Sequence, residues 1–224
     1  MEKRLFTMET LKETLFYRDT AVMKTKFIFP RFLPLSSDKS EKSFTDKINS
    51  FYYGSTRHYI SFLKGKYCGK AYKNYLSGQK VKSSFIMNCQ VCLCNKSYVS
   101  IFADLSRFDT KNTHLSRFSQ LWSFEKATLL PVKQIFNISR KTTQYITGLI
   151  KEIAYDNMSK KEFSYYDNFE KIIDQKFNFS NFYIVPDGVA FYYDYKVLSS
   201  SQKSPCVFVI PFNKLDNVLK LNFS

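Results

Sequence analysis

Apolar and polar positions change their period several times along the chain, and each change predicts an element. Thr14–Tyr17 and Val22–Phe29 are short β-like runs, the second closed by Pro30, which cannot donate to a sheet ladder. Pro34 and the polar Ser36–Ser40 stretch read as a loop. Ser43-Phe-Thr-Asp46 then has the form of a helix start, a hydroxyl cap with an acid three residues on. Phe44, Ile48, Phe51, Tyr52, Tyr59, Phe62 and Leu63 step by three and four, which makes one buried stripe ending at Gly65 or Gly69. A short amphipathic piece through Tyr72 and Tyr75 stops at Gly78.

Residues 84–94 and 98–108 alternate around Asn95-Lys96-Ser97 and predict an antiparallel hairpin. Asp109 to Ser119 reads as a polar loop, Trp122-Ser-Phe124 as a short strand with Trp122 in the core, and Thr128–Phe136 as a turn into a short helix. Ser139–Tyr155 predicts a helix, and the capping-box pattern Ser159-Lys-Lys-Glu162 predicts another through Phe163, Tyr166, Phe169 and Ile173. Asn181–Val185 and Val189–Tyr195 flank Pro186-Asp187-Gly188, a hairpin signal because Asp-Gly suits a turn with positive φ. Cys206–Phe212 is a last strand, with Asn213 capping a short terminal helix. Helices and strands come in blocks without βαβ alternation, so the expected class is α+β, antiparallel sheets with packed helices.

The 224 residues carry 34 Lys and Arg against 19 Asp and Glu, a formal net charge of +15. No acid lies between Asp46 and Asp104, whereas lysines recur there. The exposed-looking set Lys64, Lys66, Lys70 and Lys73, interleaved with tyrosines, is the candidate surface for a polyanion, either nucleic acid or an anionic wall polymer. A Lys-rich, AT-biased composition gives the same excess without any ligand. The five cysteines form no metal site: Cys89, Cys92 and Cys94 fall on opposite faces of one strand, and the two histidines supply no cluster. No phosphate loop or nucleophile elbow is present, so no enzyme, cofactor or metal is expected. A weaker alternative is a hydrolase built on His114 with Asp104 or Asp109. Without a secretory signal or an apolar span, the expected location is the cytoplasm, with no membrane insertion.

Phe182-Tyr-Ile-Val-Pro-Asp-Gly-Val-Ala-Phe-Tyr-Tyr193, followed by Val207-Phe-Val-Ile-Pro-Phe-Asn-Lys-Leu215, resembles the C-terminal domain of the RsiV-like family. That family includes the lysozyme-sensing part of an anti-sigma factor and the accessory region of some peptidoglycan deacetylases. Ile48-Asn-Ser-Phe-Tyr52, Tyr98-Val-Ser-Ile101, Trp122-Ser-Phe124 and Leu129–Phe136 match further family segments in order. The resemblance implies two consecutive subdomains, residues 12–110 and 111–221, and a non-enzymatic binding or sensing module for a protein or a wall-related ligand. The family's GGAH sequence reads Lys111-Asn112-Thr113-His114 here, and its YEIAPYAxG segment keeps only Tyr195. Lys111, His114, Arg117 and Tyr195 are therefore the candidate binding residues. Lysozyme of the animal type is itself strongly basic, so a chain at +15 would meet it against like charge.

Overall fold

A computed structural model describes residues 5–78, 83–108, 113–160, 163–201 and 204–223. Its strands are β1 (Phe6–Tyr17), β2 (Thr20–Phe32), β3 (Ser83–Cys94), β4 (Tyr98–Phe108), β5 (Thr113–Ser123), β6 (Thr128–Leu129), β7 (Phe182–Val185), β8 (Gly188–Tyr193) and β9 (Cys206–Pro211). Its helices are α1 (Lys39–Lys66), α2 (Cys68–Leu76), α3 (Val132–Ile135), α4 (Arg140–Ser159) and α5 (Phe169–Lys176). The first six strands form one sheet in sequence order and the last three form another, so the fold is α+β. Two compact units result, Met1–Val91 with Ala103–Ser116, and Cys92–Phe102 with Arg117–Ser224.

In the first unit β1 and β2 form a hairpin longer than the two short runs in the sequence predict. Arg18 and Asp19 turn it with φ of 45° and 59°, the two positive values a two-residue primed turn requires. Pro30 does not end β2. It pairs with Met8, and the β2–β3 ladder stops at Ile28, so no neighbour asks Pro30 for an N–H. β2 and β3 run parallel, with α1 and α2 as the crossover; the expectation of antiparallel pairing throughout fails here because the helices lie between the two strands. Leu15, Phe27, Phe85 and Met87 are buried on the face that receives Ile48, Tyr52, Ile60 and Leu63 of α1, and the Phe27 and Phe85 rings lie 5.5 Å apart. Asn49 fixes the crossover's start, accepting from Phe32 N at 2.8 Å and donating to Phe32 O at 3.0 Å. α1 begins at Lys39, before the predicted Ser43 cap, and Asp38 precedes it without a side-chain cap bond.

In the second unit Phe136 is fully buried among Phe179, Phe182 and Phe191. α4 is capped as the sequence predicts, Ser139 Oγ accepting from Thr142 N at 3.0 Å. The predicted loop at 109–119 is partly strand: β5 starts at Thr113, with Thr113 and His114 exposed and half-buried side chains from Leu115 on. Of the helix expected from Ser159-Lys-Lys-Glu162, Lys161 and Glu162 lie outside the described residues, and α5 begins at Phe169. Ser159 ends α4 instead, its hydroxyl donating back to Asp156 O at 2.7 Å. Asn213 lies within a single 3₁₀ turn, Phe212–Lys214, and the terminal helix does not form. The β7–β8 hairpin is where the sequence places it, but Gly188 is not among the residues with positive φ. A Cβ there would lie 2.2 Å from Ile210 O of β9, so the glycine admits a neighbouring backbone rather than a turn conformation.

Candidate functional site

The alternation of β7 and β8 decides what lies on each face of their sheet. Phe182, Ile184, Val189 and Phe191 join the large core with α4 and α5. Tyr183, Ala190 and Tyr192 turn the other way and cluster with Phe102, with Cys92, Val185 and Val207 packed against them. The Arg117 guanidinium lies over this second cluster, its carbon 3.8 Å from the Phe102 ring centre, 5.8 Å from that of Tyr183 and 5.7 Å from that of Tyr192. A planar, weakly hydrated cation is the one basic group that can lie flat on such a surface.

Main-chain bonds tie the same place together. Tyr192 Oη donates to Arg117 O at 3.4 Å. Asp194 Oδ1 accepts from Arg117 N at 3.3 Å and from Tyr195 N at 3.0 Å. Two candidate residues from the sequence, Arg117 and Tyr195, are thus joined through Asp194, which the sequence reading missed along with Phe102, Tyr183 and Tyr192. An acid directly following an alternating strand, beside a flagged tyrosine, was the available signal. His114 is exposed three positions before Arg117 on β5, which sends the two side chains to opposite faces of that strand. Lys111 and Asp109 lie outside the described residues, and Asp104 is half-buried on β4.

Lys64, Lys66, Lys70 and Lys73 are all exposed, but the structure sorts them into separate settings. Lys66 Nζ lies 5.2 Å from the Phe62 ring centre and 5.7 Å from that of Tyr67, which Arg107 also covers at 4.4 Å. Lys70 and Lys73 line an open cleft of ≈ 560 Å³ with Tyr17, Arg18, Tyr72 and Leu76. Arg18 stacks on Tyr17 at 5.8 Å, and Tyr17 meets Tyr72 at 5.1 Å between ring centres. Arg18 comes from the β1–β2 turn, outside the acid-free stretch between Asp46 and Asp104. Among the described residues no group of three or more His, Cys, Asp or Glu is placed to hold a metal ion, and no helix is long and apolar enough to cross a membrane.

No protein-family model matches the chain, and no curated protein matches it. Solved structures do. A member of the DUF3298 family from Bacteroides fragilis NCTC 9343 superposes with a TM-score of 0.63 at 15% identity, over 96% of this chain and 93% of that one. A DUF3298 family protein from Pseudomonas aeruginosa PAO1 gives 0.61 at 10% identity, over 98% and 95%. The fold is that of DUF3298 structures. At such identities the likeness concerns the fold alone, and the family is one whose name denotes an unknown function.

Proposed function

We propose that the chain is a non-enzymatic binding module of the RsiV-like kind, reading a protein or a wall-derived ligand at the surface around Arg117, Asp194 and Tyr195. The observation that supports this is the shared carboxylate of Asp194. It joins β5 to the segment after β8, the two regions in which the family resemblance sets its binding positions. An arginine whose guanidinium carbon lies within 6 Å of three aromatic ring centres gives that surface a localised cation. Purified protein titrated with soluble peptidoglycan fragments at physiological salt should bind saturably, without turnover, and Tyr195→Ala should weaken the binding at unchanged stability. Lysozyme of the animal type should not bind under the same conditions, because the charges are alike. Turnover of a peptidoglycan or amide substrate that His114→Ala abolishes would replace the module by the hydrolase reading.

A second reading, a polyanion bound through α2, is favoured by the Arg18, Lys70 and Lys73 cleft with its two tyrosine rings. Single-stranded oligonucleotide should bind with log K falling linearly as log salt rises, and Lys70→Gln with Lys73→Gln should flatten that slope by about two charges' worth. Binding indifferent to salt rules this reading out.

A further inference from the structure

We propose that the uncovered face of the β1–β2–β3 ladder is a separate anion site, taking a compact oligophosphate through Lys12, Lys24 and Lys26. The strand register carries the argument. Lys12 stands directly opposite Lys26, and Lys26 opposite Ile86; one step along, Thr14 stands opposite Lys24, and Lys24 opposite Ser84. These residues share one face, because side chains alternate with period two. The acids of β1 lie on the other side: Glu13 pairs with Arg57 of α1, and α1 packs on that face.

The register therefore places three lysines on one face of the ladder, while Glu13, between Lys12 and Thr14 on β1, directs its carboxylate to Arg57. Cross-strand partners are about 5 Å apart, and Lys24 and Lys26 roughly 7 Å along one strand. The three lysines line an open concavity of ≈ 390 Å³ together with Thr14, Ser84 and Ile86, and with Glu13, which is paired to Arg57. Like charges directly opposite one another destabilise a strand pair, so Lys12 and Lys26 are a poor choice for the fold alone and a good one for a ligand that neutralises both. The ligand must carry several negative charges within a few ångströms. Lysine is a rotatable point charge rather than a fork, which suits the oxygens of a phosphate chain better than a single planar carboxylate. This site shares no residue with the α2 cleft and stands whether or not the module reading does.

The test is calorimetry and thermal melting with inorganic tripolyphosphate at 0.15 M salt. Wild type should bind and melt higher with the ligand. Lys12→Gln with Lys26→Gln should weaken binding about tenfold, from two lost charge contacts, while melting without ligand at the same temperature or higher. Lys70→Gln with Lys73→Gln should leave the affinity unchanged. The site is overturned if the first double variant binds as tightly as wild type, if the second alone abolishes binding, or if only a single-stranded oligonucleotide and not tripolyphosphate binds. A lower ligand-free melting temperature in the first variant would also overturn it, since the lysines would then be supporting the strands.

Discussion

Arg117 and Gly188 each occupy a position that one chemical property fills. The Arg117 guanidinium carbon lies over Phe102, 3.8 Å from the ring centre, and Arg117→Lys keeps the charge but loses the planar group. That exchange should cost about 1–2 kcal/mol in urea unfolding, with an unchanged slope. An equal midpoint for the two proteins would mean that charge alone matters. Gly188→Ala should cost at least the roughly 1–3 kcal/mol of an overpacked core, because the added carbon meets Ile210 O at 2.2 Å and a backbone oxygen cannot rotate away. Here the sequence pointed to the right residue for the wrong reason. Asp-Gly does mark the hairpin, but its glycine is needed for the close approach of Ile210 and Pro211 on β9, a strand distant in the chain. The candidate site divides in the same way. Arg117 and Tyr195 were legible through a family pattern, whereas Asp194, Phe102, Tyr183 and Tyr192 acquire their role only when three strands meet.

Ser100 does at the level of elements what Asp194 does at the site. It is fully buried on β4, and its Oγ accepts from Ile184 N of β7 at 2.8 Å, satisfying a strand N–H that no sheet neighbour takes. Ser100→Ala should cost about 1–3 kcal/mol by leaving that donor buried without a partner, and Ser100→Thr should recover part of it. Exchange protection of the Ile184 amide would report the same loss directly. Elements with strong local periods were readable: β3, β4, β7 and β8 from their alternation, α1 and α4 from apolar stripes and, for α4, its cap. β5 was not, because Thr113–Ser119 has only Leu115 and Phe118 among polar residues, without alternation, and becomes strand through its neighbours in the sheet. The Ser159–Glu162 pattern misled because a hydroxyl serves a helix end as readily as a start, and Ser159 bonds back to Asp156. The parallel β2–β3 pairing is set by the helical crossover, and nothing in either strand's own sequence announces it.

At the scale of the whole molecule, each unit holds in its core an ionisable proton that alkaline solution removes more readily once the chain unfolds. In the first, burial pushes the Cys89 thiol up to about 12. In the second, burial raises the Tyr193 hydroxyl, with Asp174 and Cys206 adding to the effect, while that hydroxyl donates to Ile173 O at 3.0 Å. Both groups keep the proton when folded and lose it more easily when unfolded. Their contribution is therefore complete below the unfolded pKa and declines as pH rises towards the folded one. For Cys89 the window opens near pH 9 and runs to about 12, with a loss of about 1.4 kcal/mol per pH unit. For Tyr193 it opens near pH 10. Urea unfolding followed from pH 7 to 10.5 should show stability falling from about pH 9, and Cys89→Ala should reduce that first decline, the remainder belonging to Cys68, whose thiol burial also raises. Tyr193→Phe should leave the first decline in place and soften the steeper fall above pH 10. If Cys89→Ala falls with pH as steeply as wild type, the early loss belongs to another group and the thiol is not protonated by its burial.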